Sequence, residues 1–222
     1  MTSCAYCGVS GVSLTREHVF PKNLYPPSKA ASKVQRLTVD GCFDCNNGWS
    51  DDEAHFRNML SISGTPNAAL QELWQGKITR GLAQVDGPKR AFDLAVQMQP
   101  VGSGDRYRVY PDRDPRVRRV LQKVVRGLCH HHGVMTAVPD QRILVATLPV
   151  KVPDEYLALT EHHHREQDIA EYRYAVLDSN GVHSVWLLTF FENKHFFGIV
   201  SESADGIPGL AWPETEPTPD GH

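Results

Sequence analysis

The chain has no apolar run of about 18 residues, the length a helix needs to cross a bilayer, so no membrane-spanning role is expected. No basic segment followed by an apolar stretch opens the sequence, so no secretory leader is expected and the reading is cytoplasmic. Internal repeats are absent, which excludes a solenoid or propeller. Cysteine is scarce, with five in 222 residues. In a reducing cytosol, paired cysteines are more often metal ligands than disulfides. Net charge is also small, at −3.

What is present is the composition of an ordinary globular chain, 41% hydrophobic and 22% charged, long enough for one good-sized domain or two small ones. The near-neutral total hides a gradient. Residues 1–65 carry six basic and six acidic side chains, 77–126 twelve and five, and 127–222 five and fourteen. A nucleic-acid-binding protein needs a basic face rather than a basic total, and the middle third supplies one.

Four of the five cysteines form two Cys-x-x-Cys pairs, Cys4/Cys7 and Cys42/Cys45, with 34 residues between Cys7 and Cys42. Four thiolates in that pattern make a closed tetrahedral site, the structural form of zinc coordination, with no open position for catalysis. Cys129 stands alone in an apolar helical stretch and reads as a small buried residue.

Around the knuckles, residues 14–20 read as a short strand stopped by Pro21, and 34–39 as its return strand. A helix follows from Ser50, where Ser50-Asp51-Asp52-Glu53 has the pattern of a capping box. The first strand contains Glu17-His18 with Pro21 close behind, and Asn46 follows the last cysteine of the second pair.

In these residues the chain resembles the His-Asn-His (HNH) endonuclease family, in its branch with two Cys-x-x-Cys knuckles. The resemblance covers roughly residues 1–60, about a quarter of the chain. It implies a treble-clef ββα-metal fold over residues 1–64. It also implies that Glu17 and Asn46 ligate a catalytic divalent ion, with His18 as general base and His55 as a further candidate ligand. Arg36-Leu37 stands where the family has Asn–Leu. The residue types suit the chemistry, since hard oxygen ligands favour Mg2+ or Mn2+ and imidazole titrates near neutrality. DNA is the substrate the family implies ahead of RNA. Strand geometry imposes one condition: neighbouring residues face opposite ways, so Glu17 and His18 share one ion only at a strand end or bulge.

Beyond residue 64 the pattern is α+β, with a mainly antiparallel sheet expected over 65–204 and a Pro- and acid-rich tail at 205–222 that reads as disordered. Residues 90–98 and 105–111 alternate like a hairpin, 114–128 follow helical periodicity closely, and 142–149, 171–178, 183–191 and 195–201 read as strands. The polar face of the helix offers Arg116, Arg119, Lys123 and Arg126 as nucleic-acid contacts. The tracts His130–His132 and His162–His164 have the composition of metal-binding runs, though adjacent residues seldom converge on one ion.

The expected function is therefore metal-dependent cleavage of nucleic acid, with structural zinc, catalytic Mg2+ or Mn2+, and a C-terminal unit that is a candidate for pairing two copies. The rival from another class is a catalytically inactive zinc-stabilised module that binds nucleic acid or protein.

Overall fold

The computed structural model describes residues 3–29, 34–101, 107–148, 152–160, 162–203 and 205. The expected turn Gly102-Ser103-Gly104 lies outside them, as does the acidic tail apart from Asp205.

The chain is a mixed α+β structure with antiparallel sheets. A hairpin of β1 (Leu14–His18) and β2 (Thr38–Cys42) leads into a short helix α1 (Phe43–Asn47) and then α2 (Ser50–Ile62). The return strand begins four residues later than its apolar pattern predicts, so the second knuckle starts on the strand end itself. The capping box does not form. Trp49 occupies the N-cap of α2 with no side-chain cap bond, and the Glu53 carboxylate is engaged elsewhere.

Helices α3 (Ala68–Leu73) and α4 (Thr79–Leu82) are joined through one π-type turn, and α5 spans Gly87–Ala95. This corrects the strand expected at 90–98. Pro88 starts a helix in its first turn, and short alternation does not distinguish strand from helix. The hairpin survives in shorter form as β3 (Met98–Pro100) against β4 (Tyr107–Val109).

The longest helix, α6 (Pro115–His131), has both ends sealed. The Asp114 side chain accepts from the Arg116 N–H at 2.8 Å, and Pro115 supplies a first-turn residue that needs no partner. At the far end Gly133, at φ 66°, turns the chain, and the Val134 N–H closes on the Cys129 carbonyl at 2.9 Å. Five strands then form one antiparallel sheet in the order β5-β9-β8-β7-β6: β5 Ile143–Thr147, β6 His162–Glu166, β7 Ala170–Ser179, β8 Val182–Phe190 and β9 Lys194–Ser201. A short helix, α7 (Asp154–Leu157), precedes β6. β6 escaped the sequence reading because its His-rich face has no apolar alternation.

The apolar stripe of α6 (Val117, Val120, Leu121, Val124, Val125, Leu128) is fully buried against this sheet. Gly198 on β9 makes the approach close, since a Cβ there would stand 2.7 Å from the Val125 Cγ2. The zinc-knuckle segment joins the same core. Phe20 packs its ring on Tyr172 and Phe190, while Phe56 of α2 meets Phe190 edge-on at 5.2 Å and Phe196 at 6.3 Å. The boundary expected at 64/65 is thus crossed by one continuous cluster of buried side chains.

Candidate metal centre and the Glu17–His18 strand

The four cysteines converge. Their sulfur atoms all lie within 4.8 Å of one another, and the Cys7 and Cys42 sulfurs are 3.7 Å apart. A tetrahedral ion with metal–sulfur bonds of about 2.3 Å needs sulfurs about 3.8 Å apart, so the spacing fits. Local backbone aims them. Gly8, at φ 76°, permits the knuckle turn that bonds its N–H to the Cys4 carbonyl at 2.9 Å. The Cys42 N–H points at the Cys4 sulfur at 3.3 Å. Burial opposes ionisation of Cys4, but N–H groups of Cys42, Cys7 and Tyr6 outweigh it and bring the thiol down to about 7. Cys45 is driven the other way, by burial and by the neighbouring sulfurs of Cys42 and Cys7. Four clustered thiols resist ionising together unless a cation joins them, which is the chemistry of a metal site. Among the described residues this is the one group of three or more His, Cys, Asp or Glu side chains gathered closely enough to hold an ion. Cys129 is fully buried, as its surroundings predicted, and its thiol is pushed up to about 12 by that burial.

The residues around the second expected ion are arranged differently. β1 pairs with β2 in unbroken register through His18↔Thr38, so no bulge turns Glu17 and His18 to one side. Thr15 and Glu17 share one strand face, and Arg16 and His18 the other. Asn46 joins the Thr15 side, its Nδ2 donating to the Thr15 hydroxyl at 2.7 Å. Asn46 and Glu17 therefore belong to the same face of the hairpin.

The Glu17 carboxylate is already matched by a cation. Lys123 is fully buried, and its ammonium donates to both Glu17 and Glu53 while lying 5.8 Å from the Tyr6 ring centroid. Burial raises the Glu53 carboxyl above its ordinary range, with Lys123 opposing that rise. Carboxylate and amide oxygens are suitable ligands for Mg2+ or Mn2+, but an ion there must compete with the Lys123 ammonium. His18 is depressed below its usual range by burial, and then by the charges of Arg36, Lys22 and Lys123. His55 does not turn toward Glu17. It is buried, with its Nε2 donating to Asp114 Oδ2 at 2.8 Å, which places it in the cap of α6. Arg36, at the position of the family's Asn, lies over the Tyr25 ring at 4.0 Å and donates to the Lys29 carbonyl at 3.0 Å.

The cations expected to meet phosphate are held by the protein. Arg116 bonds Asp114 and Asp93, Arg119 forms a two-point pair with Asp52, and Arg126 reaches the Val138 carbonyl and Asp140. Lys123 is inaccessible. In the histidine tracts, His132 and His164 are each engaged with aromatic side chains. His132 lies 4.4 Å from the Tyr174 ring with its Nε2 2.8 Å from the Tyr172 hydroxyl, and His164 packs on Tyr172.

Two residues of consequence were given other roles by the sequence reading, Glu53 in a capping box and Lys123 as a nucleic-acid contact. Glu53 was hidden by the capping-box pattern. Lys123 had a usable signal, because it falls three residues after Val120 and four before Gly127, on the edge of the buried stripe rather than opposite it. A third residue of consequence, Glu166 of β6, was given no role. Its buried carboxylate accepts from the Tyr25 hydroxyl and from the Leu37 N–H at 2.7 Å, tying the sheet to the loop before β2. No family model matches the chain, and neither a curated protein nor a solved structure does.

Proposed function

We propose that the protein is a zinc-stapled, metal-dependent phosphodiesterase of the HNH kind, with a treble-clef ββα unit at its N-terminus, acting on DNA ahead of RNA. The observation that carries this reading is the Asn46–Thr15 hydrogen bond. It sets the residue after the last knuckle cysteine on the hairpin face that also bears Glu17, above a metal centre of four thiolates. In this reading Glu17 and Asn46 hold a hard divalent ion, which would supply positive charge for the leaving oxygen. His18, half-buried at the last residue of β1, would take the proton from the attacking water with its ring turned at the strand end toward the Glu17 side.

A second reading has its own observation. Lys123 already pairs with both Glu17 and Glu53, as it would in a zinc-stabilised binding module without catalysis. Plasmid DNA incubated with Mg2+ or Mn2+ separates the two. Cleavage by the parent, absent in a His18→Ala variant that keeps its zinc, supports the nuclease. No cleavage of duplex or single strands with either ion supports the binding module. A count of bound metals adds an independent check, because the nuclease holds a second ion beside the zinc and the module does not.

A further inference from the structure

Arg116, Arg119 and Arg126 of α6 are paired internally, so two other arginines of the middle third stand out: exposed Arg113, and exposed Arg108 on the β3–β4 ribbon. All six residues of the ribbon are exposed apart from Val109, which packs partly on the core. Residues directly opposite in an antiparallel pair point to the same face. Gln99↔Arg108 therefore marks one face, while Met98↔Val109 and Pro100↔Tyr107 mark the other. Val109 packs partly on the core while Met98, Pro100 and Tyr107 of its face stay exposed, and Gln99 and Arg108 occupy the opposite, exposed face.

The cationic face is built rather than scattered. Arg108 donates to the Tyr110 hydroxyl at 3.1 Å, and Arg113 sits over the Tyr110 ring at 4.6 Å. Tyr110 thus orders both guanidiniums. Among the described residues neither has a carboxylate partner, in contrast to Arg116, Arg119 and Arg126. Two guanidiniums held on one tyrosine, without a carboxylate partner among the described residues and with an exposed glutamine opposite Arg108, match the chemistry of a nucleic-acid contact. Arg reads the guanine edge in two bonds, Gln the adenine edge, and a second Arg pairs with phosphate. A two-stranded ribbon fits the major groove of B-form DNA, whereas the deep, narrow major groove of duplex RNA excludes it.

We propose that the β3–β4 ribbon lies in the major groove of duplex DNA, with Gln99 and Arg108 at base edges and Arg113 on the backbone. This rests on the nucleic-acid part of the function proposed above.

The test uses the full zinc-loaded chain without added divalent ion, titrated against fluorescent duplexes of mixed sequence and read by anisotropy across a salt series. Arg108→Ala and Arg113→Ala are each expected to weaken binding by about tenfold, and Arg113→Ala to lower the salt slope by about one. Arg90→Ala, which removes an arginine paired with Asp86, should leave binding unchanged. Parent-like binding by both ribbon variants would overturn the assignment, as would duplex RNA competing as well as duplex DNA. Cleavage assays run alongside keep the two readings apart. Binding that depends on Arg108 without any cleavage removes the nuclease and keeps the ribbon. Cleavage with ribbon-independent binding does the reverse. A parent that binds no DNA overturns the ribbon.

Discussion

At the scale of single residues, the most consequential feature is a buried ammonium between two carboxylates. Removing the ammonium leaves two uncompensated carboxylates in the interior, at a cost of about 3–5 kcal/mol. Lys123→Met should therefore lower the urea midpoint strongly, and Glu17→Gln combined with Glu53→Gln should recover part of the loss. Adding Mn2+ to Lys123→Met tests the carboxylates as ligands: a rise in midpoint shows that they accept an ion once the ammonium has gone. Asp114 supports a second prediction. Burial opposes its ionisation, but hydrogen bonds from His55 and Arg116 outweigh this and hold its carboxyl far below the usual range. A carboxyl depressed in the folded state stabilises fully above its unfolded pKa, about 4, and loses that contribution as pH falls through the folded value. The stability gap between the parent and Asp114→Asn should thus be constant from pH 5 to 7 and narrow below pH 4. A gap that does not narrow at all between pH 4 and pH 2 would show that the cap bond alone, rather than the charge, is responsible.

At the scale of elements, close approaches decide which substitutions the fold tolerates. Gly127 brings α6 against the hairpin, since a Cβ there would meet Val19 at 3.1 Å and the Tyr6 hydroxyl at 3.3 Å. The tighter contact at Gly198 involves the Val125 side chain. Gly198→Ala should cost about 1–3 kcal/mol through overpacking, and Val125→Ala in the same chain should relieve most of it. A thermal melt of the two single variants and the double variant checks this. The same elements show what the sequence could and could not reveal. Helix α6 was legible because six apolar residues keep one face, and β7, β8 and β9 because their inward side chains alternate. The Gly87–Ala95 helix was misread because nine residues with one buried leucine satisfy either periodicity. The cysteine centre was legible from spacing alone, as each pair is local. The partners of Glu17 and His55 were not, because Lys123 and Asp114 lie 106 and 59 residues away and no local pattern encodes such contacts.

At the scale of the whole molecule, the question is whether the metal stabilises one part or all of the fold. A separate zinc unit, as the sequence boundary at 64/65 would have it, should unfold by itself on chelation and leave the sheet intact. The contacts argue for coupling. Phe20 and Phe56 come from the knuckle side and pack on Tyr172, Phe190 and Phe196 of the sheet, while Lys123 reaches back from α6 to Glu17 and Glu53. Losing the hairpin would expose those rings and strand the buried ammonium together. Metal withdrawal should therefore lower the stability of the entire chain, since a ligand that binds only the folded state stabilises whatever unfolds cooperatively with its site. Trp186 lies in the sheet, fully buried and stacked on Tyr174 at 4.6 Å, remote in sequence from every cysteine ligand. Its environment reports on the sheet. With a strong thiophilic chelator present, far-UV dichroism and solvent exposure of Trp186 should change in a single transition at lower temperature, coincident with metal release followed by a colorimetric indicator. Two separated transitions, with metal leaving before the signal of Trp186 moves, would show that the zinc unit folds independently and that the shared core is a weak docking contact.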